Sequence, residues 1–138
     1  MYIEEYKASI SRNNDNTLAF NNLGTVYDKQ GLYDLAIEAY TNALTNNHYF
    51  PLTHNNLGIA YAMKDLYADA MDEMDLAIKY NANDYSAYRD LGLLYFKYKK
   101  DAQKSLYYLN ESLRLAPNPT EAKKVKEIIQ AISTGQNF

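Results

Sequence analysis

Apolar side chains recur along this chain at intervals of three and four residues, the spacing that lines one face of an α-helix. Phe20, Leu23, Gly24 and Tyr27 fall on one such face, and Tyr33, Ala36, Ile37, Tyr40, Ala43 and Leu44 on a second. The pattern then returns. His54, Leu57, Gly58 and Tyr61 take the places of the first four, and Tyr67, Ala70, Met74 and Ala77 those of Tyr33, Ala36, Tyr40 and Ala43. Tyr88, Leu91, Gly92 and Tyr95 open a third copy. Gly24, Gly58 and Gly92 are separated by 34 residues each time, and a fixed period of this size marks a repeat architecture.

The elements follow from the period. Residues 17–50, 51–84 and 85–119 each predict two antiparallel helices joined by a short turn. In the first copy these cover about 17–30 and 33–46, with Gly31 as the stop because it tolerates positive φ. Pro51 suits a first helical turn, where its missing N–H costs nothing, and Asp84 is placed to cap the helix after it. The second helix of the third copy keeps register only with one residue inserted near Lys99-Lys100-Asp101. Ser105, Leu109 and Ser112 then stand where Ala36, Tyr40 and Ala43 stand earlier. Residues 1–13 predict a helix with Tyr2, Ile3, Tyr6, Ser9 and Ile10 on one face. The polar run from Arg12 to Asn16 ends it and offers caps for the next. Tyr6, Ser9 and Ile10 lie 34 residues before Tyr40, Ala43 and Leu44, so residues 1–16 read as the second helix of an incomplete repeat. A last helix over 119–133 has Ala122, Val125, Ile128, Ile129 and Ile132 on its apolar side, and residues 134–138 are expected to fray.

A lone helix pair cannot bury its apolar face, so such pairs stack around one elongated core. Glycine and alanine at fixed places then have a packing reason. Gly24, Gly58 and Gly92 leave room where one helix crosses its partner, and Ala36, Ala70, Ala43 and Ala77 do so from the other side. A larger residue there would cost about 1–3 kcal/mol by overpacking.

Composition narrows the picture. At 138 residues the chain is about one domain. The net charge is −3, with both signs interspersed and no basic block, so a nucleic-acid footprint is not expected. The absence of cysteine excludes disulfides and thiolate metal sites. No apolar run approaches the ~20 residues of a membrane span, and the acidic start (Glu4, Glu5) is unlike a signal peptide. The expected address is cytoplasmic, with no membrane partner.

Leu-Gly-x-x-Tyr, the alanine nine residues after the tyrosine, the large residue four later and the alanine three after that resemble the tetratricopeptide repeat, a 34-residue helix–turn–helix unit. The resemblance covers nearly the whole chain: three full repeats, a preceding half-repeat helix and a C-terminal capping helix, all within one domain of residues 1–138. The third repeat departs in its two serines and longer turn. The resemblance implies an all-α, right-handed α-solenoid of antiparallel helix pairs. Leu23, Gly24, Tyr27, Ala36, Leu57, Gly58, Tyr61, Ala70, Leu91, Gly92 and Tyr95 are its structural positions. It further implies a concave groove lined by the first helix of each pair. Asn21, Asn22, Thr25, Asn55, Asn56, Ile59, Met63, Arg89, Asp90 and Leu93 are the candidate peptide-binding residues there, beside Leu18, Asp28, Lys29, Leu52 and Phe96. Asn22 and Asn56 are equivalent, and an amide can pair with the backbone of an extended peptide whatever its sequence. In the third repeat this amide becomes Asp90. A second mode of the family, the clamp for a C-terminal carboxylate, needs lysine and arginine where this chain has Ser86 and Asp90, so no clamp is expected.

Catalysis finds no footing. No serine is placed with a base and an orienter, and no Gly-rich phosphate loop occurs. His54 replaces Phe20 and Tyr88 at a packing place and is read as structural, and the acidic set Asp69, Asp72, Glu73 and Asp75 is read as a solvated face. The leading expectation is a non-enzymatic protein-interaction module without a cofactor or metal, binding a peptide or protein segment in the groove. Two alternatives stay open: a self-association or assembly module acting through the solenoid ends, with a homo-oligomer through the N-terminal half-repeat, and a docking segment of a larger enzyme.

Overall fold

A computed structural model describes residues 2–12 and 17–136. The described residues form eight helices and no strand: α1 Tyr2–Arg12, α2 Thr17–Lys29, α3 Tyr33–Asn46, α4 Pro51–Met63, α5 Tyr67–Tyr80, α6 Tyr85–Lys97, α7 Ala102–Leu115 and α8 Pro119–Ser133. The all-α class read from the pattern is what is found. The expected caps at Asn13–Asn16 lie outside the described residues, as do the side chains of Tyr2, Ser9 and Ile10. None of the described helices is long and apolar enough to cross a membrane. In space the chain divides into two compact units, residues 1–80 with α1–α5 and residues 81–138 with α6–α8.

Within the first unit each helix packs on its neighbour in sequence, and α2 also touches α4. Its core joins Ala36 and Tyr40 of α3 to Leu57 and Ala60 of α4, with Tyr27, Ile37, Leu44 and Tyr61 packed around them. Ala36, Ala43, Ala70 and Ala77 are wholly buried, as the close-packing argument requires. The glycine at the crossing is equally constrained. A Cβ added at Gly24 would lie 2.4 Å from Cε1 of Tyr40, and one at Gly58 would lie 3.0 Å from Cγ of Met74 and 3.1 Å from the Ala70 carbonyl. In the second unit Leu109 of α7 packs on Val125 and Ile132 of α8, with Phe96, Leu106, Leu113, Ile128 and Ile129 around them. Phe96 thus belongs to this core. Ser105 and Ser112 are wholly buried where the earlier copies have alanine. The Ser112 hydroxyl donates to the Tyr85 carbonyl at 2.7 Å. The Ser105 hydroxyl is buried with no acceptor or donor among the described residues.

The turns inside the helix pairs share one mechanism. At the end of α2, Gly31 (φ 75°) lets its N–H reach the Asp28 carbonyl at 3.0 Å and the Leu32 N–H reach Tyr27 at 2.9 Å. This is the bond pair of a left-handed helix stop. At the end of α4 the same two bonds form, with Asp65 (φ 61°) in the glycine's place. After α6 the stop is Lys100 (φ 55°), and the Asp101 N–H reaches back to Tyr95 at 2.9 Å. That bond spans one residue more than its counterparts, so the insertion expected near Lys99–Asp101 sits at the end of α6. Asp84 caps α6 through the N–H groups of Ser86 and Ala87, Asp101 caps α7 and Asn118 caps α8. Residues 134–136, expected to fray, instead close α8: Gly135 has φ 77° and the Gln136 N–H donates to the Ala131 carbonyl at 2.8 Å.

Candidate functional site

The candidate binding residues fall on α2 and α4 in the first unit and on α6 in the second. On α2, Asn22 and Thr25 are half-buried and, with Tyr6 of α1, Val26 and Lys29, line an open hollow of about 290 Å³. Asn21 is only 2 % exposed. Its Oδ1 accepts from the Thr53 hydroxyl at 2.9 Å and from the Asn56 amide at 3.2 Å. It joins α2 to α4 instead of offering its amide outward, because Thr53 and Asn56, three apart and so on one side of α4, both reach it. Asn55 is likewise buried. Asn56 is half-buried, with one amide hydrogen committed to Asn21. Ile59 is half-buried, whereas Leu18 and Met63 are each 56 % exposed and Leu52 48 % exposed.

A tyrosine reaches this face from behind. Tyr40 crosses from α3 over Gly24, and its hydroxyl donates to Oδ2 of Asp28 at 2.6 Å. Thr25 Oγ1, 3.4 Å from the same hydroxyl, itself donates to the Asn21 carbonyl. Burial pushes the Asp28 carboxyl above the ordinary aspartate value, against the opposing pull of the Tyr40 bond. Burial and the facing carboxylate push the Tyr40 phenol upward as well. The other carboxylate oxygen, Oδ1, is buried without a donor.

On α6, Arg89 donates to Oδ1 of Asp90 at 3.1 Å and lies over the Tyr85 ring at 5.6 Å. The Tyr85 hydroxyl donates to Glu121 of α8 at 3.1 Å, and Lys124 donates to the same carboxylate at 3.3 Å. These bonds, that from Lys124 first, hold the Glu121 carboxyl below its ordinary value. Burial pushes the Asp90 carboxyl up and outweighs the Arg89 charge; its Oδ2 is buried and unpaired. Leu93 lies half-buried on the same helix.

His54 is buried and structural. Nδ1 lies 2.6 Å from Glu73 and Nε2 lies 2.7 Å from the His48 carbonyl. The rings of His48 and Tyr80 pack on it at 5.5 and 5.6 Å. Glu73, read as part of a solvated acidic face, instead turns inward to this imidazole. Among the described residues no group of three histidine or acidic side chains is placed to hold a metal. Three features had no signature in the spacing: the Asn21–Thr53–Asn56 link, the Tyr40–Asp28 pair and the His54–Glu73 pair. The one signal for the last two was the odd residue at a repeated place, a tyrosine where the other copies have Met74 and Leu109, and a histidine among aromatics.

A family model described as the tetratricopeptide repeat matches residues 17–50. The crystal structure of MamA superposes with a TM-score of 0.82 at 25 % identity, covering 96 % of this chain and 75 % of that one. The first TPR of Spaghetti (RPAP3), solved with the HSP90 peptide SRMEEVD, superposes with a TM-score of 0.78 at 28 % identity, covering 86 % and 91 %. The first TPR domain of human RPAP3, solved by NMR, does so with a TM-score of 0.74 at 30 % identity, covering 86 % and 93 %. No curated protein sequence matches the chain.

Proposed function

The chain belongs to the tetratricopeptide repeat family, and from that premise we propose that it is a non-enzymatic interaction module taking a peptide or protein segment on the face of α2 and α4. The observation that carries this reading is the juxtaposition of exposed Leu18, Leu52 and Met63 with the half-buried amides of Asn22 and Asn56. Exposed apolar side chains interleaved with hydrogen-bonding groups are what an extended segment needs for side-chain and backbone contact at once. The peptide-bound RPAP3 relative gives the reading support. In the second unit, taken by itself, Arg89, Asp90 and Leu93 of α6 are proposed as peptide contacts. The peptide in that relative ends in Glu-Glu-Val-Asp; Asp90 stands where the clamp for such an acid needs a cation, so a different ligand class is proposed here.

The test is selection of ligands from a random dodecapeptide library, then titration of the best binder against wild type and the Asn22→Ala/Asn56→Ala double variant. We expect a loss of at least ~10-fold in affinity, about 1.4 kcal/mol. Thermal melts accompany it, because Asn56 also bonds Asn21. Equal binding by a folded double variant overturns the assignment of this face.

A further inference from the structure

We infer that Asp28 is the specificity-determining acceptor of this face and that it takes the cationic side chain of a lysine or arginine in the bound peptide. The inference rests on the reading of α2 and α4 as a peptide surface and names the ligand chemistry it selects.

Asp28 lies one helical turn beyond Thr25, on the same side of α2. Its carboxylate is held by the Tyr40 hydroxyl at Oδ2 while Oδ1 has no donor. Among the described residues no lysine, arginine or histidine pairs with it. Other carboxylates of the chain do have cations: Asp90 has Arg89, Glu121 has Lys124, Asp34 has Lys64 and Glu111 has Arg114. Lys29, next in sequence, is exposed and makes no ion pair with Asp28. A half-buried carboxylate facing only a neutral hydroxyl is undercompensated, which is the condition in which an incoming cation gains most.

The pair is also peculiar to the first helix pair. The places of Asp28 and Tyr40 are filled by Ala62 and Met74 in the second copy, and by Phe96 and Leu109 in the third. Two helix pairs of this chain therefore pack without either group, so the core does not require them. Both depart together, and the hydroxyl of one ends on the carboxylate of the other. Oδ1 is buried, so the incoming cation is met by turning the carboxylate about its last torsion, which is broad and roughly two-fold, with the Tyr40 hydroxyl re-forming its bond after the turn.

The experiment uses the full chain and N-acetylated, C-amidated dodecapeptides, which removes a free α-amine as the source of charge. Binders selected by wild type are expected to carry lysine or arginine at one position. Exchange of that residue for glutamine should weaken Kd by ~5–10-fold, and Asp28→Asn should weaken the basic peptide equally while leaving the glutamine peptide unchanged. Asp28→Asn should leave the thermal midpoint unchanged or raise it, because it removes an undercompensated charge; a merely structural aspartate would lower it. If both peptides lose affinity alike in Asp28→Asn, or the selected peptides carry no basic residue, this inference falls while the peptide-binding reading stands. If no peptide binds wild type, both fall together.

Discussion

At position 54 the imidazole replaces the aromatic rings of Phe20 and Tyr88, and its protons decide what that exchange costs. A carbonyl can only accept, so Nε2 carries a hydrogen toward His48. Nδ1 faces the Glu73 carboxylate at 2.6 Å, and a second proton there gives a buried imidazolium–carboxylate pair. Burial alone would lower the His54 pKa, but the bonds to Glu73 and to the His48 carbonyl outweigh it and raise the value above that of free histidine. A raised folded-state pKa means that the folded chain holds this proton more tightly than the unfolded one. The stabilisation is therefore complete below the unfolded value of about 6.5 and is lost as pH rises through the folded value. Urea unfolding from pH 5.5 to 9 is expected to show stability falling across that upper window, by about 1.4 kcal/mol per unit of displacement. His54→Phe restores the residue type of the first copy and should flatten the profile. It should also lower stability at pH 6 by about 1–3 kcal/mol, because Glu73 and the His48 carbonyl lose their donor. An unchanged slope in His54→Phe would assign the pH dependence to another group.

At the scale of the helix and its turn, the period is legible in the sequence because each stop depends on one or two local residues. Gly31 announces its turn, and Asp84 and Asn118 announce their helices. Asp65 did not announce itself, since the left-handed conformation it adopts is set by the bonds of Ala62 and Tyr61 and not by its own preference. For an L-residue that conformation costs about 1–2 kcal/mol, with aspartate among the more tolerant. Asp65→Gly should therefore stabilise the α4–α5 pair by about 0.5–1 kcal/mol, after the loss of the exposed Tyr67 hydroxyl bond to Asp65. Gly31→Ala should destabilise the α2–α3 pair by about 1 kcal/mol. Chemical denaturation of the two variants checks this, and equal shifts of one sign would contradict the shared turn mechanism. The inserted residue before Lys100 was legible for the same reason: α7 keeps its register of small residues only if the turn lengthens.

Over the whole chain, what could be read and what could not follow from one physical fact. Within each unit, helices pack on their neighbours in sequence, α1 to α5 in residues 1–80 and α6 to α8 in residues 81–138. A core built that way is encoded within about one period, so spacing alone carries the helix pairs, the glycine crossings and the buried alanines. The polar links across helices are not carried by spacing, because they depend on which rotamer reaches which neighbour. That is why spacing places Asn21 on an open face although it bonds Thr53 and Asn56, and places Glu73 in solvent although it meets His54. The same locality governs how the chain reaches its fold. When packing joins sequence neighbours, little loop-closure entropy must be lost before contacts form, and folding is fast. Stopped-flow or temperature-jump refolding is therefore expected to give a main phase in the microsecond-to-millisecond range of low-contact-order helical proteins. Asn21→Ala should speed unfolding more than it slows folding, because a side-chain link between α2 and α4 can form only after both helices have packed. A main phase slower than ~1 s would mean that distant contacts limit folding, against the neighbour-to-neighbour packing from which both the period and the cores derive.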